Sequence, residues 1–246
     1  SIVTGAASGI GKAIAAAYAA EGSIVCLADI DERKGNIVKE SICRNGGKAL
    51  FIPADVSNST DTDKVFSSVI SQYGKVDILV NNAGMAYKAT IEQLTEEQWD
   101  RQIDVNLKSV YLYSHKAIPI MAKQGGGVIL NIASVTSLVG VVDFAAYCAS
   151  KGAVLGITRA MALDHARQNI RVNCICPSGI KTELMAWQYS QAEDPIAEEQ
   201  RVVDLHPIGR MAAPEEMAEM AIYLVSDKSS FVTGTAFSFD GGYIAK

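Results

Sequence analysis

A strand, a glycine-rich turn and a helix open this chain, and few folds accept that order. Ile2-Val3-Thr4 runs into Gly5-Ala6-Ala7-Ser8-Gly9-Ile10-Gly11, and an alanine-rich helical stretch follows over residues 12–21. Each glycine has its own physical reason. Gly5 permits a tight turn, Gly9 lets the backbone approach a phosphate, and Gly11 lets helix and strand pack closely, so that the helix N-terminus faces a pyrophosphate. The next apolar run ends in Asp29, 18 positions beyond Gly11. A carboxylate there is placed to bind the diol of an adenine ribose.

The alternation of strand and helix then continues. Helical patterns over residues 31–44, 57–73, 95–123 and 214–226 alternate with strand-like runs at 48–54, 76–80, 127–134, 170–176 and 235–239, and a further helix carries Tyr147. Repeated βα units predict an α/β fold, a doubly wound parallel sheet with helices on both faces, in a single domain over residues 1–246. Polar residues collect where the strands stop: Asp55-Val56, Asn81-Asn82-Ala83-Gly84 and Pro177-Ser178-Gly179. Strand ends of this kind are where open α/β sheets bind ligands. Residues 180–207 lose the pattern and are expected to form a lid over the site.

Charge and cysteine content narrow the function. Twenty-two basic against 27 acidic residues give a net charge of −5 with no polybasic tract, so neither nucleic acid nor an anionic membrane is an expected partner. The apolar runs stop short of a membrane span. Five cysteines, an odd number without a C-x-x-C pair, read as reduced core residues, and a cytoplasmic setting is expected. Cys174 and Cys176 point the same way along a strand. No further Cys or His stands near them in sequence, and no metal site is expected.

The candidate chemistry lies in Tyr147-Cys148-Ala149-Ser150-Lys151. Tyr147 and Lys151 are four residues apart, so on a helix phenol and ammonium project from one face. A cation close to a phenol favours the phenolate and prepares it as a general acid/base. Ser134 ends the apolar strand before that helix, where its hydroxyl can hold a substrate oxygen against Tyr147. Asn106 sits inside the 95–123 helical tract, a poor place for asparagine unless the side chain is solvated or serves a site.

Together, Thr4 to Gly11, Asp29, Asp55, Asn81 to Gly84, Asn106, Ser134, Tyr147 and Lys151 form an ordered set that resembles the short-chain dehydrogenase/reductase family, over the whole chain to Asp240-Gly241-Gly242. The resemblance implies a Rossmann fold with NAD as cofactor. It also implies roles: Tyr147 as acid/base, Lys151 lowering its pKa and holding the nicotinamide ribose, Ser134 orienting the reacting oxygen, and Asn106 supporting a proton relay through water. The implied cofactor contacts come from Gly5, Ser8, Gly9, Ile10, Gly11, Asp29, Asp55, Val56, Asn82, Ala83, Gly84, Tyr147, Lys151, Pro177, Ile180 and Thr182. Two positions depart from the family pattern. Ala133 stands where a first serine is frequent, and Ser178 stands where glycine is usual.

Hydride transfer between NAD and a secondary alcohol or ketone is therefore the expected activity. The residues expected to line the substrate pocket mix apolar with polar side chains, Lys88, Thr136, Asp143, Glu183, Gln188 and His206, which leans toward a sugar, polyol or small hydroxy compound. A 3-oxoacyl thioester reductase is the alternative. A non-catalytic NAD-sensing module is the reading from another class, and it would have no need of the serine, tyrosine, lysine and asparagine together. Small residues on the Tyr147 helix, with family likeness, predict a homotetramer.

Overall fold

Consecutive residues of each buried strand face opposite sides of one sheet, and both sides are apolar. Ile2 and Val3 show it: the first belongs to one core and the second to the other, and both are fully buried. The structure, a computed structural model, describes residues 1–190 and 192–245; residue 191, within the stretch expected as a lid, and residue 246 lie outside it.

Among the described residues the strands are β1 (Ile2–Thr4), β2 (Ile24–Asp29), β3 (Lys48–Pro53), β4 (Ile78–Asn81), β5 (Gly127–Ile132), β6 (Ile170–Pro177) and β7 (Ala236–Phe239). They form one parallel sheet in the order β3-β2-β1-β4-β5-β6-β7. The helices are α1 (Gly9–Ala20), α2 (Glu32–Arg44), α3 (Ser59–Tyr73), α4 (Glu96–Ile103), α5 (Ser109–Gln124), α6 (Ala145–His165), α7 (Glu183–Ser190), α8 (Pro195–Asp204) and α9 (Pro214–Val225). Residues of α1, α2 and α9 bury Val3, Leu27, Val80, Leu130 and Ile175 on one face. Residues of α3, α5 and α6 bury Ile2, Cys26, Leu79, Ile129 and Cys174 on the other. Leu27, Leu79 and Leu130 are wholly shielded from solvent, each contributing about 1.5–3 kcal/mol relative to exposure.

The sheet grows from β1 in two directions, through β2 to β3 and through β4 to β7. That reversal opens a crevice at the carboxyl ends of β1 and β4, the usual binding place in a doubly wound sheet. The expected α/β architecture is the observed one.

Two elements differ from the sequence reading. The 95–123 tract is not one helix: Thr95 starts α4 with a capping box to Gln98, and residues Asp104–Lys108 form a π-turn before α5 begins. Residues 180–207 hold two short helices, α7 and α8. The stretch lacks a strong amphipathic period because α7 packs little of its surface: Tyr189 is its buried residue, and Leu184 and Trp187 stay largely exposed.

Candidate active site

The glycine turn is built so that side chains cannot enter it. Gly5 and Gly9 take left-handed backbone angles, φ 62° and 51°, and a Cβ on Gly11 would lie 2.1 Å from the Gly5 carbonyl oxygen. α1 starts at Gly9, inside the turn, rather than at Lys12 as the alanine pattern suggested. Its first turn contains no acidic residue, and the Ser8 side chain does not cap it, so its leading N–H groups and the positive end of its dipole point into the crevice. Thr182 lies across from this turn, 3.2 Å from where a Gly9 Cβ would sit.

Three polar side chains hold the turn. Asn82 donates to the carbonyl oxygens of Thr4 (2.9 Å) and Gly5 (3.1 Å). Thr4 Oγ1 accepts from the N–H groups of Asn82 (3.0 Å) and Ala83 (3.1 Å) and donates to Val80 O (3.3 Å). Asp29 accepts from Ala7 N at 2.9 Å and from Asp31 N at 2.9 Å, one bond to each carboxylate oxygen. Each oxygen retains a lone pair for a ribose hydroxyl. Thr4 escaped the sequence reading as a bracing residue, although a threonine closing β1 just before Gly5 was the available signal.

Asp55 is held in place by neighbouring polar groups. Its carboxylate accepts from Ser57 N (2.9 Å) and Ser57 Oγ (2.6 Å) and pairs with Arg101 at 3.2 Å, while Val56 beside it is buried. Burial acts to raise the Asp55 pKa, but the Ser57 and Arg101 contacts outweigh it and the net direction is down.

Ser134, Tyr147 and Lys151 come together at the end of β5. Ser134 lies two residues beyond the strand, where its hydroxyl accepts from Thr136 N at 3.2 Å and neighbours the Tyr147 phenol. Tyr147 sits in the first turn of α6, its ring edge-on to Phe144 at 6.1 Å between centroids. Burial raises the phenol above its ordinary pKa, and the neighbouring Ser134 hydroxyl acts in the opposite direction. Lys151, one turn later, is 4% exposed and donates to Ile132 O at 2.7 Å, with its ammonium 5.8 Å from the Tyr147 ring centroid. Burial pushes this lysine down to about 8. The side of Gly84 that lacks a Cβ faces the same spot: a Cβ there would lie 3.3 Å from Lys151 Nζ and 3.4 Å from Asn106 Oδ1.

The π-turn explains Asn106. Ser109 N–H reaches back five residues to Asp104 O, and the Val105 carbonyl that an α-helix would have given it takes the Ser109 hydroxyl instead, at 2.6 Å. Asn106 is thereby turned inward and buried. Its Oδ1 accepts from Met85 N (2.8 Å), and its Nδ2 donates to Met85 O (2.8 Å) and to Ser150 Oγ (3.1 Å). Both amide hydrogens are thus committed, and the side chain brackets the loop after β4 to α6. Ser150, fully buried inside the Tyr147-to-Lys151 segment, is the partner that periodicity alone could not single out.

Pro177 ends β6 beside this group, and Ala133 N, just before Ser134, donates to Ile175 O of that strand at 2.8 Å. Ile180 is buried beyond it, and Thr182 returns to Gly9. The crevice therefore runs from a phenol, a hydroxyl and an ammonium at one end, past a side-chain-free cradle and a helix N-terminus, to the Asp29 carboxylate at the other. A dinucleotide with two central phosphates fits these donors and clearances.

A family model described as enoyl-(acyl carrier protein) reductase matches residues 5–244. The chain is 38% identical over 246 residues to a cyclohexanol dehydrogenase of Acinetobacter sp. (strain SE19), covering 100% of this chain and 94% of the relative. This chain belongs to the short-chain dehydrogenase/reductase family. An NAD-dependent glycerol dehydrogenase of Listeria innocua is 39% identical over 247 residues, covering 100% of this chain and 93% of the relative. Among solved structures, the 3-ketoacyl-(acyl-carrier-protein) reductase from Brucella melitensis complexed with NADH superposes with a TM-score of 0.90 at 35% identity, covering 98% of this chain and 96% of that one. As a short-chain dehydrogenase/reductase, the protein is an oxidoreductase acting on CH–OH groups with a nicotinamide cofactor. A purely sensing module is thereby set aside. Among the described residues, no helix is long and apolar enough to cross a membrane.

Proposed function

We propose that this protein is an NAD-dependent dehydrogenase of small secondary alcohols or polyols. The observation that carries the reading is the convergence of the Ser134 hydroxyl, the Tyr147 phenol and the buried Lys151 ammonium at the end of β5. When bound, the nicotinamide supplies the hydride acceptor or donor. Ser134 holds the substrate oxygen. Tyr147 takes the hydroxyl proton when an alcohol is oxidised and returns it when a carbonyl is reduced. Lys151 holds the nicotinamide ribose and places positive charge by the phenol, and Asn106 keeps the Met85 loop and α6 in register around them.

Cofactor choice follows from Asp29. Its carboxylate suits the ribose diol of NAD and repels the 2′-phosphate of NADP. Ser8 and Ile30 stand where a cation would answer such a phosphate; of Arg33 and Lys34, a turn further along, Lys34 is paired with Glu183 at 2.6 Å. Residues 180–207, with α7 and α8, serve as the lid. The homotetramer remains our assembly proposal, supported by the open small-residue face of α6, where a Cβ on Gly152 or Gly156 would meet nothing within 4 Å. Light scattering that found a stable monomer at micromolar concentration would overturn it. Five free cysteines suit a reducing, cytoplasmic setting.

The test is a substrate panel read by NADH absorbance, with cyclic alcohols, polyols, sugars, hydroxy acids and 3-oxoacyl thioesters in parallel. Turnover of small alcohols with NAD supports the proposal. Turnover confined to thioesters would transfer the assignment to the 3-oxoacyl reductase reading that the Brucella neighbour favours, and no turnover of any of them would overturn both.

A further inference from the structure

Ser178 and the buried His206 form a joint behind the turn at residues 178–182. His206, expected from the sequence to line the substrate pocket, is instead 3% exposed, its ring nitrogens engaged within the protein. Its Nδ1 lies 2.7 Å from Val202 O and its Nε2 lies 3.0 Å from Ser178 Oγ. A carbonyl only accepts, so Nδ1 carries a proton, and Nε2 shares a hydrogen bond with the Ser178 hydroxyl. The imidazole also covers Gly179, whose φ is +55°: a Cβ there would strike the ring at 2.5 Å. Its other side meets Tyr243, 5.7 Å away between ring centroids. One side chain thus links the last turn of α8, the turn after β6 and the C-terminal segment.

The turn it supports touches both halves of the crevice. At one end β6 runs into it beside the Ser134 segment, with Ala133 N donating to Ile175 O at 2.8 Å; at the other Thr182 packs on Gly9. Backbone bonds from Ser178 N to Phe239 O (3.1 Å), Lys181 N to Ala212 O (2.9 Å) and Ala212 N to Gly179 O (2.9 Å) hold the turn from outside. From the side of α8, the His206 ring is what sets its height.

We infer that Ser178 and His206 are a pair of positioning residues that seat the 178–182 turn against the nicotinamide half of the cofactor and tie that seat to the end of the lid. This rests on the NAD-dependent reading above. A free Ser178 hydroxyl would need no buried acceptor, and an isolated histidine would need no serine where this family usually has glycine; each explains the other.

The experiment measures NADH binding by fluorescence, and the primary deuterium isotope effect on alcohol oxidation, for Ser178→Gly, His206→Phe, His206→Gln and the double variant Ser178→Gly/His206→Phe. Thermal melting checks the fold of each. Ser178→Gly removes a half-exposed hydroxymethyl group and is the variant that keeps the test open if a His206 variant fails to fold. We expect NADH to bind about five- to tenfold more weakly in Ser178→Gly, the scale of one lost hydrogen bond. The isotope effect should rise as hydride transfer becomes slower than release. His206→Gln, whose amide can still meet the serine, should recover most of the affinity that His206→Phe loses, and the double variant should be no worse than the worse single one. Folded single variants within about twofold of the parent, or losses that add in the double variant, would overturn the pairing. A parent protein that does not bind NADH would instead overturn the functional reading and this inference with it.

Discussion

Asn82 donates its side-chain amide to the Gly5 carbonyl oxygen at 3.1 Å and to Thr4 O at 2.9 Å, so the loop after β4 and the glycine turn after β1 are one rigid unit. The crevice between two strands is closed at its base by that amide. A Cβ on Gly11 would lie 2.5 Å from the same nitrogen, so helix α1, strand end and amide fit together without spare room.

Asn82→Ala should therefore loosen the cofactor site from below. It leaves two carbonyls without their side-chain donor, a loss on the order of 1–3 kcal/mol. Both the melting temperature and NADH affinity should fall, with Tyr147 untouched. A variant with unchanged NADH affinity would show that the turn holds its shape without Asn82.

Tyr147→Phe should reduce turnover by about 10²–10⁴-fold, the usual contribution of a positioned acid/base group, while NADH still binds. Steady-state kinetics and NADH fluorescence on the same preparation check both halves. Retention of most of the parent rate would remove Tyr147 from the chemistry.

Lys151 offers a stability test whose sign is unusual for a catalytic variant. Burial lowers its pKa from 10.5 to about 8, so the folded chain holds this proton less tightly than the unfolded one. Below about pH 8 the charged lysine opposes folding in full, and the opposition is relieved as pH rises from 8 to 10.5. Lys151→Met should be inactive yet more stable at neutral pH by on the order of 1–3 kcal/mol, the upper figure being the full shift and the lower allowing for the lost bond to Ile132 O. Its advantage should shrink toward pH 10. Urea unfolding at two pH values measures it, and a variant less stable than the parent at neutral pH contradicts the account.

Asp29 should give NAD at least about a tenfold advantage over NADP in kcat/KM, equivalent to about 1.4 kcal/mol. Asp29→Ser should narrow that ratio, chiefly by improving NADP. Because Asp29 also accepts from Ala7 and Asp31, some loss with NAD is expected too. Equal efficiency of the parent with both cofactors would mean that the carboxylate does not face the ribose.

Hydrogen exchange should find α7 and α8 better protected when NADH and a substrate analogue are present. Equal protection with and without ligands would argue against a lid.

The amino-acid sequence by itself determined the alternation of strands and helices, the glycine turn, Asp29, and the presence of Ser134, Tyr147 and Lys151, because each is written in local spacing. A period of 2 against 3.6, or a glycine at a left-handed angle, is a property of a few adjacent residues. Strand order and the crevice at the β1–β4 reversal depended on which apolar faces could be buried together. So did three site details. Asn106 is turned inward by a π-turn that no helical pattern in residues 95–123 announces. Thr4 and Asn82, 78 positions apart, brace the glycine turn jointly. The Ser178 hydroxyl finds His206, 28 residues on, only because β6, α8 and the C-terminal segment converge there. Hydrogen bonds between distant side chains carry no sequence period, since their geometry exists only once the two cores have packed.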